Sequence, residues 1–226
     1  MLKDLGTVLV LFLLWRGFLF GANYVGRAMS PQRPTAARLM PDSPYWNGWA
    51  QQDSLHFANV IREGYTINSV GPWKGVSTNA AFFPLYPYAV KSLVKLRLSW
   101  GGARLFRTSA AAGLLVSNIC LVFALYYMYR IARLSLGEDA AKRSLVYLLA
   151  NPASFFFSAF YSESMFLLTT TGSIYYFLRG RHTACGVWGM LAMLTRSPGV
   201  VLIPALVVGH FWEKRFRFQK SDFKLL

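Results

Sequence analysis

Long apolar blocks, each ended by a few polar residues, set the plan of the chain: Leu5–Tyr24, Ala110–Tyr129, Ser144–Tyr161, Ser164–Leu178 and Ala184–Trp212. A helix needs about 20 mainly apolar residues to cross a bilayer, so the pattern predicts an all-α integral membrane protein. The first helix is expected at about residues 5–26. It opens Met1-Leu2-Lys3 in the manner of a secretory signal, yet Arg16 interrupts the run and no small-x-small cleavage site follows, which favours an uncleaved span. Residues 27–108 then turn polar and aromatic, studded with Pro31, Pro34, Pro41, Pro44, Trp46, Trp49, Gly71 and Trp73. Two amphipathic pieces within them, Asp53–Arg62 and Tyr88–Leu98, place apolar residues at three- and four-residue spacing, as helices lying on a membrane surface do.

Beyond Thr108 the blocks read as hairpins whose orientation is set by the basic residues in short loops. With Ile131–Arg143 on the cytoplasmic side, Ser144–Ala159 runs outward and Ser164–Leu178 returns to Arg179-Gly180-Arg181-His182. Ala184–Leu194 then rises to Arg196, and Val200–Trp212 descends to a basic tail. This six-crossing scheme puts residues 27–108, Ser162-Glu163-Ser164 and Arg196-Ser197-Pro198 together on the extracytoplasmic face. Ala184–Leu194 covers only about 16 Å at 1.5 Å per residue. Helices that short are tolerated where they line a cavity, so the polar points are expected in an open vestibule. The expectation is one membrane domain: a first transmembrane helix (1–26), an extracytoplasmic loop (27–108), helical hairpins (109–212) and a basic cytoplasmic tail (213–226).

Composition agrees with the block pattern: of 226 residues 54% are hydrophobic and only 15% charged, which a soluble domain rarely shows. The net charge of +15 raises nucleic acid as a partner. The basic residues, however, fall where apolar blocks end, at Arg130, Arg133, Lys142, Arg143, Arg179, Arg181, Lys214, Arg215, Arg217 and Lys220, and form no single basic face. That is the distribution of positive-inside anchoring against anionic headgroups, so nucleic acid is not expected. Cys120 and Cys185 lie inside apolar blocks and read as packing residues. There is no GxGxxG, no P-loop and no metal-ligand spacing among His56, His182 and His210, so no soluble cofactor is indicated.

Four points along the chain carry the candidate chemistry. Asp53 and His56, three residues apart, share one face of a helix. A carboxylate at a low-dielectric boundary can serve as a general base toward a hydroxyl, or Asp53 can cap the helix. Phe82-Phe83-Pro84-Leu85-Tyr86-Pro87 is stiff and aromatic, suited to anchoring the loop at the interface or to touching substrate. Glu163 lies at a hairpin tip beside Tyr161, Ser162 and Ser164, as a functional acid or as a helix-starting one, and Asn151-Pro152 predicts a kink before it. Arg196, followed by Ser197-Pro198-Gly199, can pair with a phosphate or snorkel to headgroups. Free N–H groups of a helix starting after Pro198 would add to the same anion site.

Taken in order, these residues resemble the PIG-V type GPI mannosyltransferase family and its bacterial relatives, membrane enzymes of the GT-C glycosyltransferase class. Asp53-Ser54-Leu55-His56-Phe57 with Gly64-Tyr65 looks like the family's Trp-Asp-x-x-His-Phe and Gly-Tyr element, and Ala81-Phe82-Phe83-Pro84 like its Ala-Phe-Phe-Pro segment. Asn151-Pro152-Ala153 through Tyr161-Ser162-Glu163-Ser164 matches a Pro-Ala and Tyr-Ser/Thr-Glu hairpin, and Thr195-Arg196-Ser197-Pro198-Gly199 an Arg-Ser-Asn-Gly element. Gln52 stands where the family has tryptophan, and Pro198 where it has asparagine. Family members are considerably longer, so the resemblance implies the amino-terminal half of a GT-C-like helical bundle, or a short or truncated member.

The resemblance implies transfer of a mannosyl, or more broadly hexosyl, group from a polyprenyl-phosphate sugar to a hydroxyl of a glycan or glycolipid acceptor. The reaction would invert the anomeric centre, need no metal and face the periplasm or the lumen of the endoplasmic reticulum. Asp53 would be the base and Arg196, with His56, would stabilise the departing phosphate. Ser162, Glu163, Ser197, Phe83 and Tyr86 complete the implied substrate and phosphate contacts. Membrane lipids and a second membrane subunit are the further partners. The competing reading is a non-catalytic scaffold or lipid-binding subunit of a glycan-assembly complex. A transporter is disfavoured because no paired half-repeats appear.

Overall fold

The computed structural model describes residues 2–29, 39–40, 44–66, 79–99 and 109–213. Pro31, Pro34, Pro41, Gly71, Trp73 and the basic tail from Lys214 lie outside the described residues. Within them every regular element is helical: α1 (Leu2–Met29), α2 (Pro44–Asn47), α3 (Asp53–Glu63), α4 (Leu85–Ser99), α5 (Ser109–Leu136), α6 (Glu138–Ala150), α7 (Glu163–Leu178), α8 (His182–Thr195) and α9 (Leu202–Glu213). Two 3-10 turns, Pro152–Phe157 and Ser197–Val201, precede α7 and α9.

α1 and α5 are long and apolar enough to cross a membrane. At 28 residues each they extend about 42 Å at 1.5 Å per residue, beyond a hydrocarbon core of about 30 Å. They lie with opposite ends together, since Asp4 near the start of α1 pairs with Arg133, and at 3.9 Å with Arg130, near the end of α5. The amphipathic pieces foreseen in residues 27–108 form α3 and α4, each within a few residues of its expected bounds.

The hairpin region departs from expectation at two joints. Residues 131–143 form no loop: α5 continues to Leu136 and α6 starts at Glu138, the reversal being made by Gly137 at φ +85°, a conformation glycine reaches without a Cβ penalty. The outgoing segment is not one helix over 144–159, and Asn151-Pro152 does more than kink it. α6 stops at Ala150, the Asn151 side chain accepts the Ala153 N–H at 2.8 Å, and the chain continues as a 3-10 turn. Pro152 has no N–H to continue the α-helical ladder, so the capped turn is the lower-energy path.

α7 descends alongside α5, and at its lower end Arg130 donates to the Tyr175 hydroxyl at 3.3 Å. Gly180, at φ +66°, turns the chain into α8, which climbs back. Small residues let α7 and α8 approach closely: Ser173 Oγ donates to the Cys185 carbonyl at 3.0 Å, and a Cβ on Gly172 would meet the Trp188 indole at 2.8 Å. Cys120 and Cys185 are both buried and unbridged, as packing residues should be. The outcome is a bundle with Asp4, Arg130, Arg133 and Arg179–His182 toward one end. Ser162–Glu163 and Thr195–Ser197 lie at the other.

Candidate active site

One buried residue organises the polar end. Phe160 is fully buried, and its ring packs tilted against Phe57 and Tyr86 and against α5 at Gly113. Its N–H donates to the Trp49 carbonyl at 2.8 Å and its carbonyl accepts from Ser54 Oγ at 2.9 Å. Next to it the Tyr161 hydroxyl donates to the Gln51 carbonyl at 2.8 Å, while the Tyr161 carbonyl accepts from Ser117 Oγ on α5. The 158–162 hairpin therefore grips the segment from Trp49 to Ser54 by three hydrogen bonds and fixes where α3 begins.

Asp53 is the first residue of α3, preceded by a strained residue. Gln52 adopts φ +49° and ψ −113°, and the Ser54 N–H closes on the Gln51 carbonyl at 3.0 Å. That places Gln52 near the first central position of a type II′ turn, where glycine is preferred. Such a conformation is held by its surroundings at about 1–3 kcal/mol. Gln52, not Asp53, occupies the cap position, and no side chain caps the helix. The Asp53 side chain is left exposed at the mouth of the turn.

The 79–84 segment forms the next wall. Asn79 is buried, donating through Nδ2 to the Gly64 carbonyl at 3.0 Å and accepting the Thr66 N–H at 3.2 Å. The Tyr65 hydroxyl donates to the Phe82 carbonyl at 2.6 Å. These bonds tie the end of α3 to the aromatic segment, and Phe82 stands against Phe57 at 5.1 Å between centroids.

The last wall comes from the turn after α8. Gly199 lies so close to α8 that a Cβ would be 2.6 Å from backbone atoms of Ala192 and Met193. The Gly199 N–H donates to the Arg196 carbonyl at 3.0 Å, so the segment after Pro198 is a 3-10 turn with that N–H already engaged. A helix start open to an anion, as anticipated there, is not what forms. The Arg196 guanidinium turns back across the bundle to Glu163, the first residue of α7, and reaches Ser162 Oγ at 3.4 Å. It is thus held by the acid that opens α7.

These walls enclose an open cleft of about 280 Å³ lined by Asp53, Phe57, Ala81, Phe82, Phe83, Ser162, Thr195, Arg196, Ser197 and Pro198. Of the residues singled out in the sequence, Asp53, Phe83, Ser162, Arg196 and Ser197 line it, and Glu163 joins it through Arg196. His56 and Tyr86 are not among the lining residues. His56 is exposed and stacks on Phe82 at 4.7 Å, while Tyr86 is buried with its hydroxyl on Gly113 and Ser117. Trp49, Ser54, Phe160 and Gly113, which hold the site from behind, were not singled out by sequence reasoning. An isolated glycine in an apolar helix is the signal that could have found one of them, Gly113. The Tyr161 phenol is pushed up to about 12 by burial, with the Asp53 and Glu163 carboxylates adding to the effect.

Among the described residues the architecture is an all-helical bundle, with two helices long and apolar enough to cross a membrane and a cleft with polar lining at one end. The family model of mannosyltransferase (PIG-V) matches residues 6–217, and the chain belongs to that family. It is accordingly a glycosyltransferase, acting between a sugar donor and an acceptor. No curated protein and no solved structure matches the chain.

Proposed function

We propose that the chain is a multi-pass GT-C type enzyme that transfers a mannosyl or related hexosyl group from a polyprenyl-phosphate sugar to a hydroxyl of a glycan or glycolipid. The observation that carries the reading is the shared cleft: the Asp53 carboxylate and the Arg196 guanidinium line one cavity. Asp53 accepts the proton of the acceptor hydroxyl as its oxygen attacks the anomeric carbon. The bond from that carbon to the phosphate oxygen breaks on the opposite side, which inverts the centre. The electron pair leaves with the lipid phosphate, whose growing charge Arg196 meets with charge-assisted hydrogen bonds. Phe82, Phe83 and Phe57 give the cleft the apolar faces on which a sugar ring packs. A monophosphate leaving group needs little more than one positive charge, so the reading requires no metal.

The basic residues at the other end of the bundle support an extracytoplasmic cleft, because short basic loops stay in the cytoplasm. The test is transfer by purified protein in liposomes supplied with a polyprenyl-phosphate mannose, products being read by mass spectrometry. Asp53→Asn keeps the shape and is expected to lower transfer by at least about 10²-fold, the scale of a lost general base. Chelation with EDTA is expected to leave the wild-type rate unchanged. Unchanged transfer by a folded Asp53→Asn protein would reject the base, and no transfer by the wild type would favour a scaffold or lipid-binding role.

A further inference from the structure

Arg16 sits near the middle of α1, where α2 and the turn after it pack onto the helix. Its guanidinium lies 4.3 Å from the ring of Phe20 and 4.2 Å from that of Trp49. Stacking satisfies the faces of the guanidinium but not its N–H groups, which lie in its plane. Arg16 Nη1 is buried with no acceptor among the described residues, and so is Nε1 of Trp49, whose side chain is fully buried. Two buried donors in one stacked cluster thus lack an acceptor. No carboxylate among the described residues pairs with Arg16, and an arginine at membrane depth is costly without an anionic partner.

The surroundings say what kind of anion fits. Leu13, one turn before Arg16, is 63% exposed, and the outward face continues around the helix with Leu14 and Phe18 at 69% and 71%. Above them Tyr45 donates to the Phe20 carbonyl at 3.0 Å, with Trp46 exposed beside it. This aromatic pair is of the kind found at headgroup level. A ligand with an anionic head and apolar chains matches both halves: chains along the outward face of α1, head at the guanidinium. Arginine's planar fork is suited to phosphate oxygens, and an indole N–H adds a third donor.

We propose that Arg16, with the indole N–H of Trp49, holds the phosphate group of a membrane lipid against α1. The site is separate from the cleft, since neither residue lines it, and it does not depend on the catalytic reading. Native mass spectrometry of detergent-purified protein tests it, using phosphatidylglycerol, phosphatidylcholine, farnesyl phosphate and inorganic phosphate as separate probes. The wild type is expected to retain phosphatidylglycerol or farnesyl phosphate over phosphatidylcholine, and which of the two it prefers tells a bystander phospholipid from a prenyl phosphate. Arg16→Met is expected to weaken that retention about tenfold, the scale of a lost charge-assisted contact. Trp49→Phe keeps the stacked ring, removes only the N–H and should weaken it less, which preserves the test if Arg16→Met fails to fold. Equal retention by wild type, Arg16→Met and Trp49→Phe would overturn the proposal. So would binding of inorganic phosphate as tight as that of either lipid.

Discussion

The ring of Phe160 occupies the space in which a side chain at position 113 would begin. A Cβ there would lie 2.0 Å from Cδ2 and 2.2 Å from Cε2 of the ring. The ring has nowhere to go: Phe160 is fully buried, and its N–H and carbonyl are both engaged, with Trp49 and with Ser54. In a close-packed interior that overlap must displace the hairpin or α5, and overpacking of this kind costs about 1–3 kcal/mol. Displacement passes to Trp49 and Ser54, which flank the turn carrying Asp53. A catalytic group misplaced by about 1 Å commonly lowers rate by about 10²-fold. Gly113→Ala should therefore unfold at lower temperature in detergent, by the equivalent of that energy, and transfer sugar about 100-fold more slowly in liposomes. Phe160→Leu removes the clashing ring atoms, so the double variant should fall short of the summed single effects by about 1 kcal/mol or more. A Gly113→Ala protein with wild-type stability and rate, or a strictly additive cycle, would refute the account of how Asp53 is held.

Glu163→Gln removes the counter-ion of Arg196 while keeping its shape. Both side chains are partly exposed, at 39% and 27%, so the stability change should stay within about 1 kcal/mol. The kcat/KM of transfer, by contrast, should fall at least about tenfold as the guanidinium loses its fixed place, and a normal kcat/KM would show that Glu163 does not position it. Tyr161→Phe removes the hydrogen bond to Gln51 and should destabilise by about 1 kcal/mol. Because burial raises the wild-type phenol to about 12, above the ordinary value near 10, the folded state holds that proton more tightly than the unfolded one. The stabilisation is whole below pH 10 and is lost as pH rises toward 12. The gap in unfolding midpoint between wild type and Tyr161→Phe should close across that window, and a gap constant with pH would count against it.

Apolar periodicity made the helical class legible because burial in lipid leaves long uncharged runs, and α1 and α5 fall on two of them. Glu163 and Arg196 were equally plain, each being a charge at a break between such runs, and Asp53 stood out as an acid heading an amphipathic piece of the polar stretch. What the sequence hid were joints and supports. Gly137 ends a helix in one residue, and nothing in 131–143 separates that from a basic loop until the backbone is seen. Phe160 reads as one more apolar residue of a block, and only its fit into Gly113 reveals it as the keystone of the hairpin. His56 shares a helix with Asp53, but a three-residue spacing fixes only a face, and the ring of Phe82 turns the imidazole to itself.

Charge placement explains why three ionisable groups are gathered at this end where two would seem enough. In a chain of net charge +15 a lone carboxylate facing an arginine would be drawn into a direct pair, and its lone pairs would then be spent on the guanidinium. Glu163 prevents this. It comes from the start of α7, where the helix N-terminus favours an acid, and it takes Arg196 from the side. Among the described residues no cation pairs with Asp53, whose carboxylate is left facing the cleft. Under the proposed mechanism, the arginine so oriented has its remaining N–H donors left for a phosphate and the aspartate its oxygens left for a hydroxyl. Under that mechanism the two acids are not interchangeable: Glu163 is paired with Arg196, while Asp53 lines the cleft with no cation on it among the described residues.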